Sequence, residues 1–245
     1  MDPASEAVKG EILEAVKAHV EAGDFDEAAR RANELTALGP GETAKFLECA
    51  YACDNAGKHE QAVFYYRQVV RADPRCPNAW TNLGLLIQRQ GRYDEAIACY
   101  TTQLESTPDD PWASHNIGVI HCYRKKDFVT AIPFLERAHR IEPEDVLIHH
   151  NLAWTYYKNR DYEKAFCNYR EILDLIDQYM EWIKSVYSHT SEIYADFALT
   201  CLKLNRRGTA KRAIEMAVKL RPKYRTNWGQ KYRRIHERVV SGARG

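Results

Sequence analysis

The chain has no long apolar run. Its opening residues, MDPASEAVKGEILEAVKAHVEAGD, carry acids throughout, which predicts neither a secretory leader nor a membrane-spanning helix. Glycine is scarce, with 12 in 245 residues, and β-branched runs bounded by turn residues are few. Together with the abundance of Tyr, Ala, Glu and Arg, this disfavours a sheet and predicts an all-helical chain. The 7 cysteines are odd in number and lack the spacing of a disulfide framework, so a reducing compartment, the cytoplasm, is expected. There is no phosphate loop, nucleophile elbow or HExxH pair, and the expectation is a non-enzymatic chain without cofactor or metal.

The remaining chemistry-bearing residues give catalysis little support. Cys49 and Cys53 stand one helical turn apart, but both occupy apolar positions and read as core. His149 and His150 are adjacent, so on a helix their rings diverge. A set of Cys122, His115 and His150 is the one nucleophile-and-base combination the pattern offers.

Prolines set the period. Pro40, Pro74 and Pro108 are spaced by 34 residues, and Pro143 follows after 35. Between Pro77 and Pro108, Trp80, Leu83 and Ile87 fall three and four apart and line one helix face. Gln90-Gly91-Arg92 supplies a turn, and Tyr93, Ala96, Ile97, Tyr100 and Leu104 line a second helix. Gly84 and Ala96 are small enough to let the two backbones approach.

Trp80, Leu83, Gly84, Ile87, Tyr93, Ala96, Tyr100 and Pro108 resemble the signature of the tetratricopeptide repeat (TPR) family, a helix-turn-helix unit of about 34 residues. The resemblance implies an all-α, right-handed superhelical solenoid of about six repeats plus a C-terminal capping helix, forming a single domain over residues 1–245. The repeats are phased at about 9–42, 43–76, 77–110, 111–145, 146–179 and 191–224. An insert covers 180–190 and the cap covers 225–240.

Three departures stand out. In the fourth repeat Phe128, Ala131 and Leu135 arrive one residue late, which places one inserted residue between His121 and Asp127. Asp177 replaces the closing proline of the fifth, so its second helix is expected to run long or the next first helix to begin early. Asp24 and Glu27 form a helix-start pair in the first.

Such a solenoid offers a concave surface lined by the first helix of each pair, and the family's members mostly bind other proteins. The expected function is an adaptor holding an extended segment of a partner protein in this groove. One row along it reads Glu14, Glu48, Asn82, Asn116, Asn151, Asp196. An amide donates and accepts, so it can grip a peptide backbone of any sequence. First helices roughly 8 to 10 Å apart would meet about every third residue of an extended ligand. The row resembles the asparagine ladder of family members that hold extended peptides. Equally open is that asparagine at this position bonds a neighbouring helix.

Other candidate groove residues are Tyr51, Arg89, Trp112, His115, His150, Trp154 and Lys158, with Tyr123 and Tyr157 open to a packing role. A carboxylate clamp of the kind some relatives use is poorly matched, because Glu48, Tyr51 and His115 flank Asn82, and Arg89 is the nearby strong cation.

The formal charge is only +1, but residues 1 to 60 hold 6 Lys or Arg against 13 Asp or Glu, and residues 203 to 245 hold 14 against 2. Arg221, Lys223, Arg225, Lys231, Arg233, Arg234 and Arg238, interleaved with aromatics, form a possible basic patch for nucleic acid. A solvated outer face on the capping helix is the plainer reading. The opposed charges also allow self-association of an acidic N-terminal end with a basic C-terminal one.

Overall fold

The computed structural model describes residues 3–37, 42–76, 78–178, 190–220 and 239. The basic patch, the capping helix apart from Val239, and nearly all of the insert lie outside them. Among the described residues there are twelve α-helices and no strand. The chain divides into two compact units, Met1–Ala113 and Ser114–Gly245.

In the first unit the helices are α1 (Pro3–Ala22), α2 (Phe25–Ala37), α3 (Glu42–Asn55), α4 (His59–Ala72), α5 (Ala79–Arg89) and α6 (Tyr93–Ser106). They pair as α1 with α2, α3 with α4 and α5 with α6, and α4 packs on α5. Apolar residues at helical spacing explain the pairing. Ala28, Ala32 and Leu35 of α2 are buried, as are Ala62, Tyr66 and Val70 of α4 and Ala96 and Tyr100 of α6. Gly84 makes room for the Tyr100 ring. A Cβ at this glycine would stand 2.6 Å from Tyr100 Cε1.

α7 (Pro111–Val119) runs into a π-helical segment, Ile120–Lys125. The second unit continues with α8 (Phe128–Ile141), α9 (Val146–Lys158), α10 (Tyr162–Gln178), α11 (Thr190–Lys203) and α12 (Arg207–Lys219). α8 packs on the π segment and on α9, α9 on α10, α10 on α11, and α11 on α12. One core runs through these helices and includes Leu135, Leu152, Tyr169, Ile172, Phe197, Ile214 and Val239. α10 is 17 residues long and reaches Gln178, one residue beyond Asp177, where the other second helices have 13 or 14. With no proline at 177 to stop it, the helix passes that position.

Each turn is built alike. Residues Gly23, Gly57, Gly91, Lys126, Arg160 and Asn205 all take positive φ, the left-handed conformation that commonly ends a helix. The next residue's N–H reaches back to a carbonyl five residues earlier at five of the turns, as from Asp24 to His19 (2.9 Å) and Asp161 to Tyr156 (3.0 Å). At the fourth turn the bond spans six, from Asp127 N–H to His121 O at 2.9 Å. The inserted residue therefore lies where the pattern placed it, and it is absorbed by widening the last turn of the first helix to π geometry. Aspartates cap three of the starts that follow, Asp24, Asp127 and Asp161, and Asp145 does the same for α9; each accepts the backbone N–H three residues on.

Candidate functional site

In the second unit the π segment, α9 and α11 enclose an open pocket of about 680 Å³. Cys122 and Tyr123 come from the π segment, and His150, Trp154, Tyr157 and Lys158 from α9. Glu192 and Asp196 come from α11, the two turns add Lys126 and Arg160, and the first residues of α8 and α10 add Phe128 and Tyr162.

Helical spacing creates the aromatic wall. Trp154 and Tyr157, three apart, stack with ring centroids 5.3 Å apart, and Tyr157 meets Tyr162 at 5.6 Å. Lys158 Nζ lies over the Trp154 ring at 5.2 Å, an attraction that orients the ammonium without neutralising it. Lys126 and Arg160 add cations at one side, while Glu192 and Asp196 place carboxylates on α11. This combination can hold a bulky apolar group and a charged one together.

Behind the wall lies a chain of hydrogen bonds. The Tyr123 hydroxyl donates to Asn151 Oδ1 at 2.8 Å, and Asn151 Nδ2 donates to His115 Nε2 at 2.8 Å. His115 is buried, and burial pushes it down to about 4. The ring is therefore neutral at pH 7, with Nε2 left to accept. One repeat further on, His150 Nε2 stands 3.3 Å from Asp196 Oδ2.

Of the expected groove residues, His150, Trp154 and Lys158 line the pocket together with Tyr123 and Tyr157. Asn151 and His115 sit behind it, both buried. Asn116 is buried beside His115. Asn82 is half-buried next to Tyr66. Tyr51 is exposed, edge-on to Tyr66 at 5.9 Å, and Arg89 pairs with Asp54 at 3.3 Å. Trp112 is exposed at the start of α7. Cys122, His115 and His150 each face a different partner. Cys122 Sγ lies 3.2 Å from the Thr155 hydroxyl, and burial raises its thiol pKa, the opposite of what a thiolate nucleophile needs.

The sequence pattern missed Lys126, Phe128, Arg160, Tyr162 and Glu192 as pocket residues. Lys126 and Arg160 left a signal. They stand where the first three repeats carry Gly23, Gly57 and Gly91, and they keep the left-handed conformation without glycine's freedom. Strain of this kind is retained where the side chain has a use.

Helix pairs closed by one recurrent turn define an all-α helical-repeat protein. Residues 50–146 carry tetratricopeptide repeats, the family model matching 50–111 and 88–146. The chain is similar to BBSome complex member BBS4 of Bos taurus, 25% identical over 198 residues that make up 81% of this chain and 36% of that protein. It is also similar to Superkiller complex protein 3 of Homo sapiens, 24% identical over 211 residues, 77% of this chain and 12% of that one. The chain thus spans about a third or less of the length of these curated relatives.

Among solved structures, pilF of Pseudomonas aeruginosa superimposes with a TM-score of 0.64 at 15% identity, covering 94% of this chain and 97% of that one. YrrB, described as a TPR protein with an unusual peptide-binding site, gives 0.61 at 13% identity, covering 73% and 86%. Proteins of this fold are generally non-catalytic interaction scaffolds. Among the described residues no helix is long and apolar enough to cross a membrane.

Proposed function

We propose that the chain is a non-enzymatic interaction scaffold that captures an extended segment of a partner protein in the pocket between the π segment, α9 and α11. The observation that carries this reading is the lining. Three stacked or tilted aromatics stand beside Lys126, Lys158 and Arg160. Aromatic and cationic side chains together are what dominates binding at protein interfaces. A segment bearing a bulky apolar side chain next to an acidic one fits this lining, the first against Trp154 and the second at the cations. Two relatives are named as members of complexes, and YrrB is described as having a peptide-binding site, both in keeping with such a role.

The test is capture from a native lysate, followed by mass spectrometry, using the natural chain and the Trp154→Ala, Lys158→Glu double variant. Proteins retained by the first and lost from the second, with circular dichroism unchanged, are the expected result. Identical retention by both would remove the pocket from the mechanism.

A further inference from the structure

Away from the pocket, three helices of the second unit bring together His139 of α8, His149 of α9 and Glu171 of α10. One ligand atom from each lies within 4.8 Å of the other two. The two imidazoles face each other with centroids 4.1 Å apart, and His149 Nε2 stands 3.5 Å from Glu171 Oε2. His149 is only 2% exposed, with Asn168 as a polar side-chain neighbour besides Glu171 and no well-formed hydrogen bond at either ring nitrogen, and His139 Nδ1 is likewise buried without one. Buried polar atoms in folded proteins nearly always have a partner, and an ion taking one nitrogen from each ring would supply one to both imidazoles.

We propose that His139, His149 and Glu171 form a binding site for a divalent transition metal of the zinc type, completed by water. Two imidazole nitrogens and one carboxylate oxygen are an established donor set for this ion. Bonds of about 2.0–2.1 Å in tetrahedral geometry place ligand atoms about 3.4 Å apart, close to the 3.5 Å already found between His149 and Glu171. The Glu171 side chain is 62% exposed and can swing the remaining distance. Burial lowers the pKa of His149 to about 4 and lowers that of His139. Both rings are therefore neutral at pH 7, the form that ligates a metal. Because the donors come from three helices, a bound ion would tie the fourth repeat to the fifth.

The experiment titrates the full chain, stripped with a chelator, with zinc chloride by calorimetry near pH 7.5, and in parallel with cobalt(II) by absorption spectroscopy. Zinc is expected to bind at one equivalent and to raise the thermal midpoint. Cobalt is expected to give tetrahedral d–d bands without a thiolate charge-transfer band, which separates this site from the cysteines. Glu171→Gln changes an exposed side chain and should leave the fold intact while weakening zinc binding by at least about 10-fold. His149→Gln should weaken it further, and His19→Gln should leave it unchanged. No stoichiometric binding by the natural chain, a thiolate band, or full affinity in both Glu171→Gln and His149→Gln would overturn the proposal.

Discussion

Asn151 on α9 donates its amide to the ring of His115 on α7 at 2.8 Å. The relationship recurs one repeat later, where Asp196 on α11 meets His150 on α9 at 3.3 Å. In both pairs the residue just before one member of the first-helix row is joined to the next member of that row. In the second unit the row is thus a set of links between neighbouring helices, and through Tyr123 one link also holds a wall of the pocket.

Removing such a link leaves buried polar groups without partners. Asn151→Ala is expected to destabilise the protein by about 1–3 kcal/mol, and the half-buried Asn82→Ala by under about 1 kcal/mol. Urea unfolding measured on both variants checks the order. Equal losses would mean that Asn151 links nothing.

The buried histidines make stability depend on pH. His115 and His149 are each lowered to about 4 by burial, while an unfolded histidine titrates near 6.5. Between these values the unfolded chain binds more protons, so stability is full above about pH 6.5 and falls as the pH drops towards about 4. Urea midpoints in the presence of chelator should decline between about pH 7 and pH 5, before most carboxylates titrate. His115→Asn and His149→Asn should each flatten that decline, and an unchanged slope would contradict the assignment.

Much of this fold was legible in the sequence because a repeat states its packing several times. The proline period, the small residues at Gly84 and Ala96, and the late arrival of Phe128 fixed the helix pairs and the place of the inserted residue. The pocket was only half legible. Trp154 and Lys158 followed from helical spacing, but Lys126 and Arg160 belong to turns, and periodicity on a helix says nothing about where a turn residue points. The cluster of His139, His149 and Glu171 draws on three helices, 32 residues apart at its extremes, and no local spacing announces it.

Gly118 is a sharper packing test than Gly84. A Cβ there would lie 2.5 Å from Leu135 Cγ and 3.2 Å from the Ala131 carbonyl oxygen, and backbone yields less readily than a side chain. Gly118→Ala should cost about 1–3 kcal/mol through overpacking, read as a lower thermal midpoint. A neutral substitution would show that α7 and α8 have slack between them.

Lys126 and Arg160 should separate stability from binding. Replacing either with glycine relieves a left-handed residue, a gain of at most about 1–2 kcal/mol before glycine's own entropy is counted. The same change removes a cation from the pocket. The expected outcome is an equal or higher thermal midpoint with weaker partner capture. Loss of both, or of neither, would refute the trade.

The widened turn at Ile120–Lys125 has a consequence for anyone who regularises this chain. Trimming one residue there to restore a uniform period would swing each following side chain of that helix by about 100°, taking Tyr123 off its amide. The result would be a tidier scaffold with a blank where the proposed recognition surface had been, so this irregularity is the last feature a consensus redesign should erase.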